Sequence, residues 1–201
     1  MYIVIEGQDG TGKSTQVKLL EEYFKKQGKE VVTMDEPDGD LPQAHDLHDL
    51  ILTKGKDYGL EPMTNVLLFT ASRMELWRKL AEPVLKNGGI VISARNWWST
   101  LAYQGYGEGV SKSKIVRITH ESLPDKYVKP DKGFILTVSD KIREERQKDR
   151  GKAKETFEAK SDEFQQKVNY AYLKIAKDFD VKTIDASGTI EEVFTLIKKE
   201  L

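Results

Sequence analysis

The stretch Gly7-Gln8-Asp9-Gly10-Thr11-Gly12-Lys13-Ser14-Thr15 decides how the rest of this chain is read. It fits the pattern of a glycine, four residues and then Gly-Lys-Ser. Before it stands Tyr2-Ile3-Val4-Ile5-Glu6, a short run rich in β-branched residues. After it, apolar residues recur at Val17, Leu19, Leu20, Tyr23 and Phe24 until Gly28 stops the pattern. Strand, glycine-rich turn and helix, in that order, form an anion site. Glycine accepts positive φ and lets the backbone curl around a phosphate. Successive N–H groups then point inward, and the helix N-terminus adds its partial positive charge. Gly7, Gly10, Thr11, Gly12, Lys13, Ser14 and Thr15 are therefore the expected phosphate contacts. Lys13 reaches the outer phosphates and the Ser14 hydroxyl is set to ligate Mg²⁺. A glycine-rich turn that only caps a helix would explain the glycines but not the Lys-Ser pair. Asp9 cannot help to hold a triphosphate. It is either a solvated loop residue or an acceptor for a second substrate's hydroxyl.

Outward from this loop, β-rich runs alternate with longer helical patterns. Strands are expected at 2–6, 30–34, 89–93, 133–138 and 180–184. Each is short and most are rich in Val and Ile, as buried parallel strands are. Helices are expected at 13–27, 62–87, 157–178 and 189–201. The second opens on Pro62 and stops at Gly88-Gly89, and Pro83 should kink or break it. Alternating strand and helix implies one α/β domain over 1–201, a five-stranded, mostly parallel sheet with helices on both faces. The length, 201 residues, suits one such domain.

Composition narrows the chemistry. There are 32 basic and 33 acidic residues and a formal net charge of −1, so nothing attracts nucleic acid globally. With no cysteine, thiolate catalysis, disulfides and Cys-ligated zinc are excluded. The N-terminus lacks the basic start and long apolar core of a signal peptide, and no apolar stretch approaches the ~20 residues of a membrane span. The expected compartment is the cytoplasm, and no membrane partner is expected.

The loop alone leaves the reaction open. No Asn-Lys-x-Asp tetrad for guanine is present, and strand 89–93 ends in Ser93-Ala94-Arg95 without an acid. Asp140 follows strand 133–138, but Ser139-Asp140 reads as the cap and first turn of a helix. Asp185 follows the last strand and is expected to shape a loop. More specific pieces lie further along. Leu67-Leu68-Phe69-Thr70-Ala71-Ser72-Arg73 sits on a helical pattern. Arg95 is followed by Ser99, Thr100 and Ala102-Tyr103-Gln104-Gly105. Glu36-Pro37 follows the second strand, and Ile184-Asp185-Ala186-Ser187 stands near the end.

Together with the phosphate loop, these pieces resemble the thymidylate kinase family from end to end. The resemblance implies the P-loop kinase fold with a small helical lid at about 143–158. It implies a Mg²⁺-dependent transfer of the γ-phosphoryl group of ATP to dTMP. Lys13, Arg95, Arg146 and Arg150 would act on the phosphates. Phe69 would stack on thymine, Arg73 would bond its edge, and Arg95 would clamp the acceptor phosphate. Ser99, Thr100, Tyr103 and Gln104 would line the base and sugar pocket, with Asp9 on the 3′-hydroxyl and Glu36 beside the acceptor. Ala186 and Ser187 would border the ATP site, and a homodimer would form through helices around 41–54 and 62–80. Taken alone, Phe69 would read as core, Arg73 as a surface charge, and the run from Arg143 to Lys154 as a solvated helix end.

Three departures carry consequences. Ala94 stands where the family has an aspartate before the clamp arginine, Asp35 stands where it has an arginine before Glu-Pro, and Thr156 replaces a lid arginine. Metal handling is then expected to move to Ser14 with Glu36 or Glu6. The alternatives are a kinase for another nucleoside monophosphate, or a nucleotide-binding relative with little activity. The Trp97-Trp98 pair has no role legible in the pattern.

Overall fold

A computed structural model describes residues 1–37, 41–149, 157 and 159–201, apart from the side chains of Lys56 and Asp149. Five strands make one sheet: β1 Tyr2–Glu6, β2 Val31–Asp35, β3 Ile90–Ala94, β4 Lys132–Thr137 and β5 Lys182–Asp185. Their order is β2-β3-β1-β4-β5 and every pairing is parallel. The chain builds β2 and β3 on one side of β1, then crosses to build β4 and β5 on the other. The carboxyl end of β1 is thus the point where strand order reverses, which is where open α/β sheets bind ligands. The phosphate loop leaves from that end.

Alternation along the strands divides the core in two. Tyr2, Val4, Met34 and Val91 face one layer with Trp77, Trp97, Tyr127 and Tyr172. Ile3, Ile5, Val31, Ile90, Ile92 and Ala94 face the other, against Val17, Leu20 and Phe24 of α1 (Lys13–Lys25) and Val193 and Ile197 of the last helix. Register fixes what stands side by side at the carboxyl edge: Ala94 pairs with Ile5 on one side and with Asp35 on the other.

Between β2 and β3 run α2 (Pro42–His48), a π-helical stretch (Asp49–Lys54), α3 (Gly55–Tyr58) and α4 (Pro62–Leu76). The interruption expected at Pro83, a kink or a break, falls just before it. A π-helical stretch, Trp77–Ala81, joins α4 directly to α5 (Glu82–Lys86). Pro83 therefore falls in the first turn of a renewed α-helix, where its missing N–H is not needed. After β3 come α6 (Trp97–Thr100), continued by a π-helical stretch (Leu101–Gly107), then α7 (Lys112–Ser122) and α8 (Asp125–Val128). After β4 comes α9 (Asp140–Asp149), with the Ser139 hydroxyl accepting from the Ile142 amide at 3.4 Å, so Ser139-Asp140 is a helix start. The helix expected from 157 begins later, as α10 (Asp162–Asp178), because the Ser161 side chain caps it by accepting from the Phe164 amide. The final helix, α11 (Ile190–Lys199), opens on a Thr189/Glu192 capping box. Among the described residues no helix is long and apolar enough to cross a membrane.

The paired tryptophans are packing. Trp97 is buried, donates through Nε1 to the Val128 carbonyl at 3.2 Å, and meets Phe179 edge-on at 5.1 Å. Trp98 lies over Gly133 of β4, so closely that a Cβ there would stand 2.8 Å from its ring.

Candidate active site

The phosphate loop forms as its glycines require. Gly7 has φ 137°, and a Cβ on it would lie 2.5 Å from the Leu136 carbonyl oxygen of β4. Gly12, at φ 95°, turns the chain into α1, whose N-terminus has no side-chain cap. Thr11 Oγ1 donates to the Gln8 carbonyl at 2.8 Å, closing the loop. Lys13 Nζ donates to the carbonyls of Gly7 and Gln8, both at 2.9 Å, and lies 3.5 Å from Asp9. Burial pulls its ammonium down to about 8, Arg95 pushes the same way, and Asp9 opposes them. Ser14 and Thr15 open on a cleft of about 970 Å³, near the upper end for small-molecule sites.

The far end of this cleft is built from β3, α4 and α6. Arg95 follows β3 in the left-handed region, φ 75°, a conformation that costs a non-glycine residue roughly 1–3 kcal/mol and is found at working sites. Its guanidinium pairs with the Asp9 carboxylate and reaches the Gly7 carbonyl at 3.4 Å. The other Asp9 oxygen accepts from the Tyr103 hydroxyl at 3.3 Å. One chain of contacts therefore links the phosphate loop to Tyr103 on the π-helical stretch after α6. Arg73 is buried and committed three ways: Nε to Glu36 at 2.8 Å, one terminal nitrogen to Thr100 Oγ1 at 2.7 Å, the other to the Asn96 carbonyl at 2.9 Å. Its guanidinium carbon stands 5.5 Å from the centre of the Phe69 ring. Phe69, Arg73, Arg95, Ser99, Thr100, Tyr103 and Gln104 all line the same cleft as Asp9, Lys13 and Ser14.

The role of Glu6 was not legible beforehand. It is fully buried at the end of β1. One oxygen accepts the amides of Asn96 and Ser99, at 2.8 and 3.1 Å, and the Ser99 hydroxyl at 2.9 Å. The other accepts from the Gly7 amide, the Ser99 hydroxyl and the Tyr172 hydroxyl. Glu6 thus caps the N-terminus of α6 from the neighbouring strand and fixes the turn that carries Arg95. An acid closing an apolar strand just before a phosphate loop was the available signal.

Further cleft residues come from α9 and from Phe157 and Lys160 before α10. Arg146 donates to the Ala186 carbonyl at 2.9 Å and to the Gly188 carbonyl at 3.4 Å, while Gln147 donates to the Asp9 carbonyl at 3.3 Å. Ala186 and Ser187 therefore adjoin the cleft through Arg146 and do not line it. Asp185 shapes their loop by accepting from the Ser187 amide at 2.9 Å. Arg150 and Thr156 lie outside the described residues. Phe157 places its ring 6.2 Å from Phe69 and 5.9 Å from Tyr103, and Lys160 stands 5.3 Å over it. Lys160 pairs with Glu108, which also accepts from Gln104 at 3.1 Å.

Glu36 does not fit the metal role expected of it. Strand alternation turns it to the Arg73 face, away from α1 and Ser14. It accepts from Arg73, from Tyr127 at 2.7 Å and from Ser93 at 3.2 Å. Burial pushes its carboxyl up to about 7, with Arg73 pulling back. Glu36 is a positioning residue for Arg73. Among the described residues no three His, Asp or Glu side chains gather as a metal cage. The fitting donor chemistry is oxygen on the cleft wall, the Ser14 hydroxyl first, which suits a Mg²⁺ ion that keeps waters and takes phosphate oxygens.

Comparison with known proteins agrees with this geometry. The family model described as thymidylate kinase matches residues 5–197. A thymidylate kinase of Caldicellulosiruptor saccharolyticus is 34% identical over 199 residues, covering 98% of this chain and 94% of the relative. One from Prochlorococcus marinus is 36% identical over 205 residues, covering 100% and 94%. The crystal structure of thymidylate kinase from Ehrlichia chaffeensis superposes with a TM-score of 0.77 at 29% identity, covering 100% of this chain and 97% of that one.

Proposed function

The chain belongs to the thymidylate kinase family, and we propose how its cleft performs that family's reaction. The enzyme transfers the γ-phosphoryl group of ATP to dTMP, giving dTDP and ADP. The observation that carries the reading is the continuity of the cleft from Lys13 and Ser14 through Asp9 and Arg95 to Tyr103, Arg73 and Phe69. A phosphoryl donor and a pyrimidine acceptor fit end to end along it. Full-length agreement with the family disfavours a different nucleoside monophosphate kinase and a weakly active nucleotide binder.

Phosphoryl transfer asks the protein for positioning and charge stabilisation, with no covalent intermediate. The loop amides and Lys13 hold the donor phosphates. Arg95, gripped by Asp9 at the loop's edge, presents its fork to the acceptor phosphate, and bidentate guanidinium–phosphate pairing fixes the in-line approach. Phe69 supports the base face, and Arg73, held by Glu36, offers its remaining N–H groups to the base edge. Tyr103 and Asp9 meet the sugar, the phenol where it crowds a 2′-hydroxyl. Arg146, on α9, covers the donor phosphates. Ser14 would ligate Mg²⁺, which when bound neutralises charge on the β- and γ-phosphates.

The assembly is a homodimer and the compartment the cytoplasm. In support of the dimer, Leu67 and Met74 lie seven residues apart on α4 and are 51% and 43% exposed, where a helix of this kind buries its apolar side. Sedimentation giving only a 22.9 kDa species at micromolar concentration would remove it. For the reaction, ATP labelled at the γ-phosphate is incubated with protein and dTMP. Label should appear in dTDP. Label released only as inorganic phosphate would refute the transfer.

A further inference from the structure

We propose that Asp35 supplies the protein carboxylate of the Mg²⁺ site, opposite the Ser14 hydroxyl. This rests on the phosphoryl-transfer reading above and assigns a residue to it. Among the described residues five acids line the cleft: Asp9, Asp35, Glu36, Glu144 and Asp162. Asp9 is held by Arg95 and Tyr103, and Glu36 by Arg73, Tyr127 and Ser93. Glu144 and Asp162 belong to helices α9 and α10 and not to the strand edge.

Asp35 alone stands on that edge with its carboxylate open. It ends β2 and is exposed to the cleft, and no hydrogen bond or ion pair engages its side chain among the described residues. Register places it beside Ala94. Alternation along β2 sends Val31 into the α1 layer, so Thr33 and Asp35 take that same side. Helix α1 packs across β1, β2 and β3, and its first turn, with Lys13 and Ser14, lines the same cleft as Asp35. Lys13 feels the Asp35 charge. A carboxylate and a hydroxyl on one wall of a phosphate cleft are the hard oxygen donors that Mg²⁺ takes alongside phosphate and water.

The register also explains how the chain manages with Ala94. The side chains at 94 and 35 leave the same face of adjacent strands, about 4.8 Å apart. A carboxylate at either position reaches nearly the same space, and this chain carries one at 35 only. A second acid at 94 would add like charge beside the first.

The test uses Mn²⁺ as a paramagnetic stand-in for Mg²⁺, followed by electron paramagnetic resonance with the protein and ADP. Asp35→Asn should weaken retention of Mn²⁺ in the ternary complex at least about tenfold, the scale on which metal-site partners act. Its ADP affinity in EDTA should stay within about twofold of wild type. Adding Ala94→Asp to Asp35→Asn should restore Mn²⁺ retention. Unchanged retention in Asp35→Asn would overturn the assignment. So would an equal loss of ADP binding in EDTA, failed rescue by Ala94→Asp, or a loss confined to Glu144→Gln or Asp162→Asn. Wild-type protein that binds no ADP would instead overturn the phosphoryl-transfer reading, and this assignment with it.

Discussion

Lys13 offers a perturbation whose size follows from its surroundings. Its ammonium is buried against two carbonyls and beside Arg95, and it titrates at about 8 instead of the usual 10.5. That displacement is worth about 3 kcal/mol at 1.36 kcal/mol per pH unit. A group whose folded value is depressed contributes stability that is present above its unfolded pKa and is lost as pH falls through the folded one. At neutral pH the free protein therefore carries a charged lysine at a cost. A phosphate brought against Nζ reverses that cost and raises the pKa, so binding takes up a proton wherever Lys13 was neutral. With a free value of about 8, the charged fraction falls roughly tenfold between pH 7 and pH 9. ADP affinity should fall by about the same factor. Isothermal titration calorimetry across this range, in buffers of different ionisation enthalpy, measures both the affinity and the proton uptake. In Lys13→Met the affinity should be weak and nearly flat with pH. Flat affinity in wild type, or the same slope in Lys13→Met, would refute the reasoning.

Further expectations follow from the same contacts. Arg95→Ala should raise the dTMP KM and lower kcat while ATP affinity stays nearly constant, if the fork serves the acceptor phosphate as proposed; steady-state kinetics with each substrate varied decides, and an equal loss in ATP affinity would move Arg95 to the donor side. Glu36→Ala leaves a buried guanidinium without its carboxylate, so it should cost roughly 3–5 kcal/mol in urea unfolding; a loss under about 1 kcal/mol would mean that Thr100 and Asn96 hold Arg73 unaided. Gly133→Ala should destabilise by about 1–3 kcal/mol through contact with Trp98, and Trp98→Leu in the same chain should recover part of that; additive losses would show that the ring and the Cβ do not meet.

The fold was legible because its signals are local and agree with one another. Most strands were short runs rich in Val and Ile, each lay within two residues of its expected bounds, and the glycine-lysine loop fixed which strand stood first. The π-helical stretches were not legible. Leu101–Gly107 has no period of its own, and it continues α6, whose start is held by Glu6, ninety or more residues earlier. That the interruption near Pro83 would be a π-helical turn was not legible for a related reason: a wider turn before a proline leaves no mark in composition. At the site, Phe69, Arg73, Arg95 and Tyr103, which the family resemblance had singled out, line one cleft, although pattern alone would have put Phe69 in the core and Arg73 on the surface. Spacing could not tell Asp35 from Glu36. Adjacent residues on a strand face opposite layers, and which one faces α1 depends on the register of β2 against β3.

The central claim is that the cleft beyond Arg95 takes dTMP. Coupled ADP release, measured with saturating ATP across dTMP, dUMP, dCMP, AMP and GMP, tests it most directly. The account expects kcat/KM for dTMP to exceed that of every other acceptor by about tenfold or more, a difference of ~1.4 kcal/mol in transition-state binding. A purine monophosphate in the lead, or equal values across all five, would contradict it.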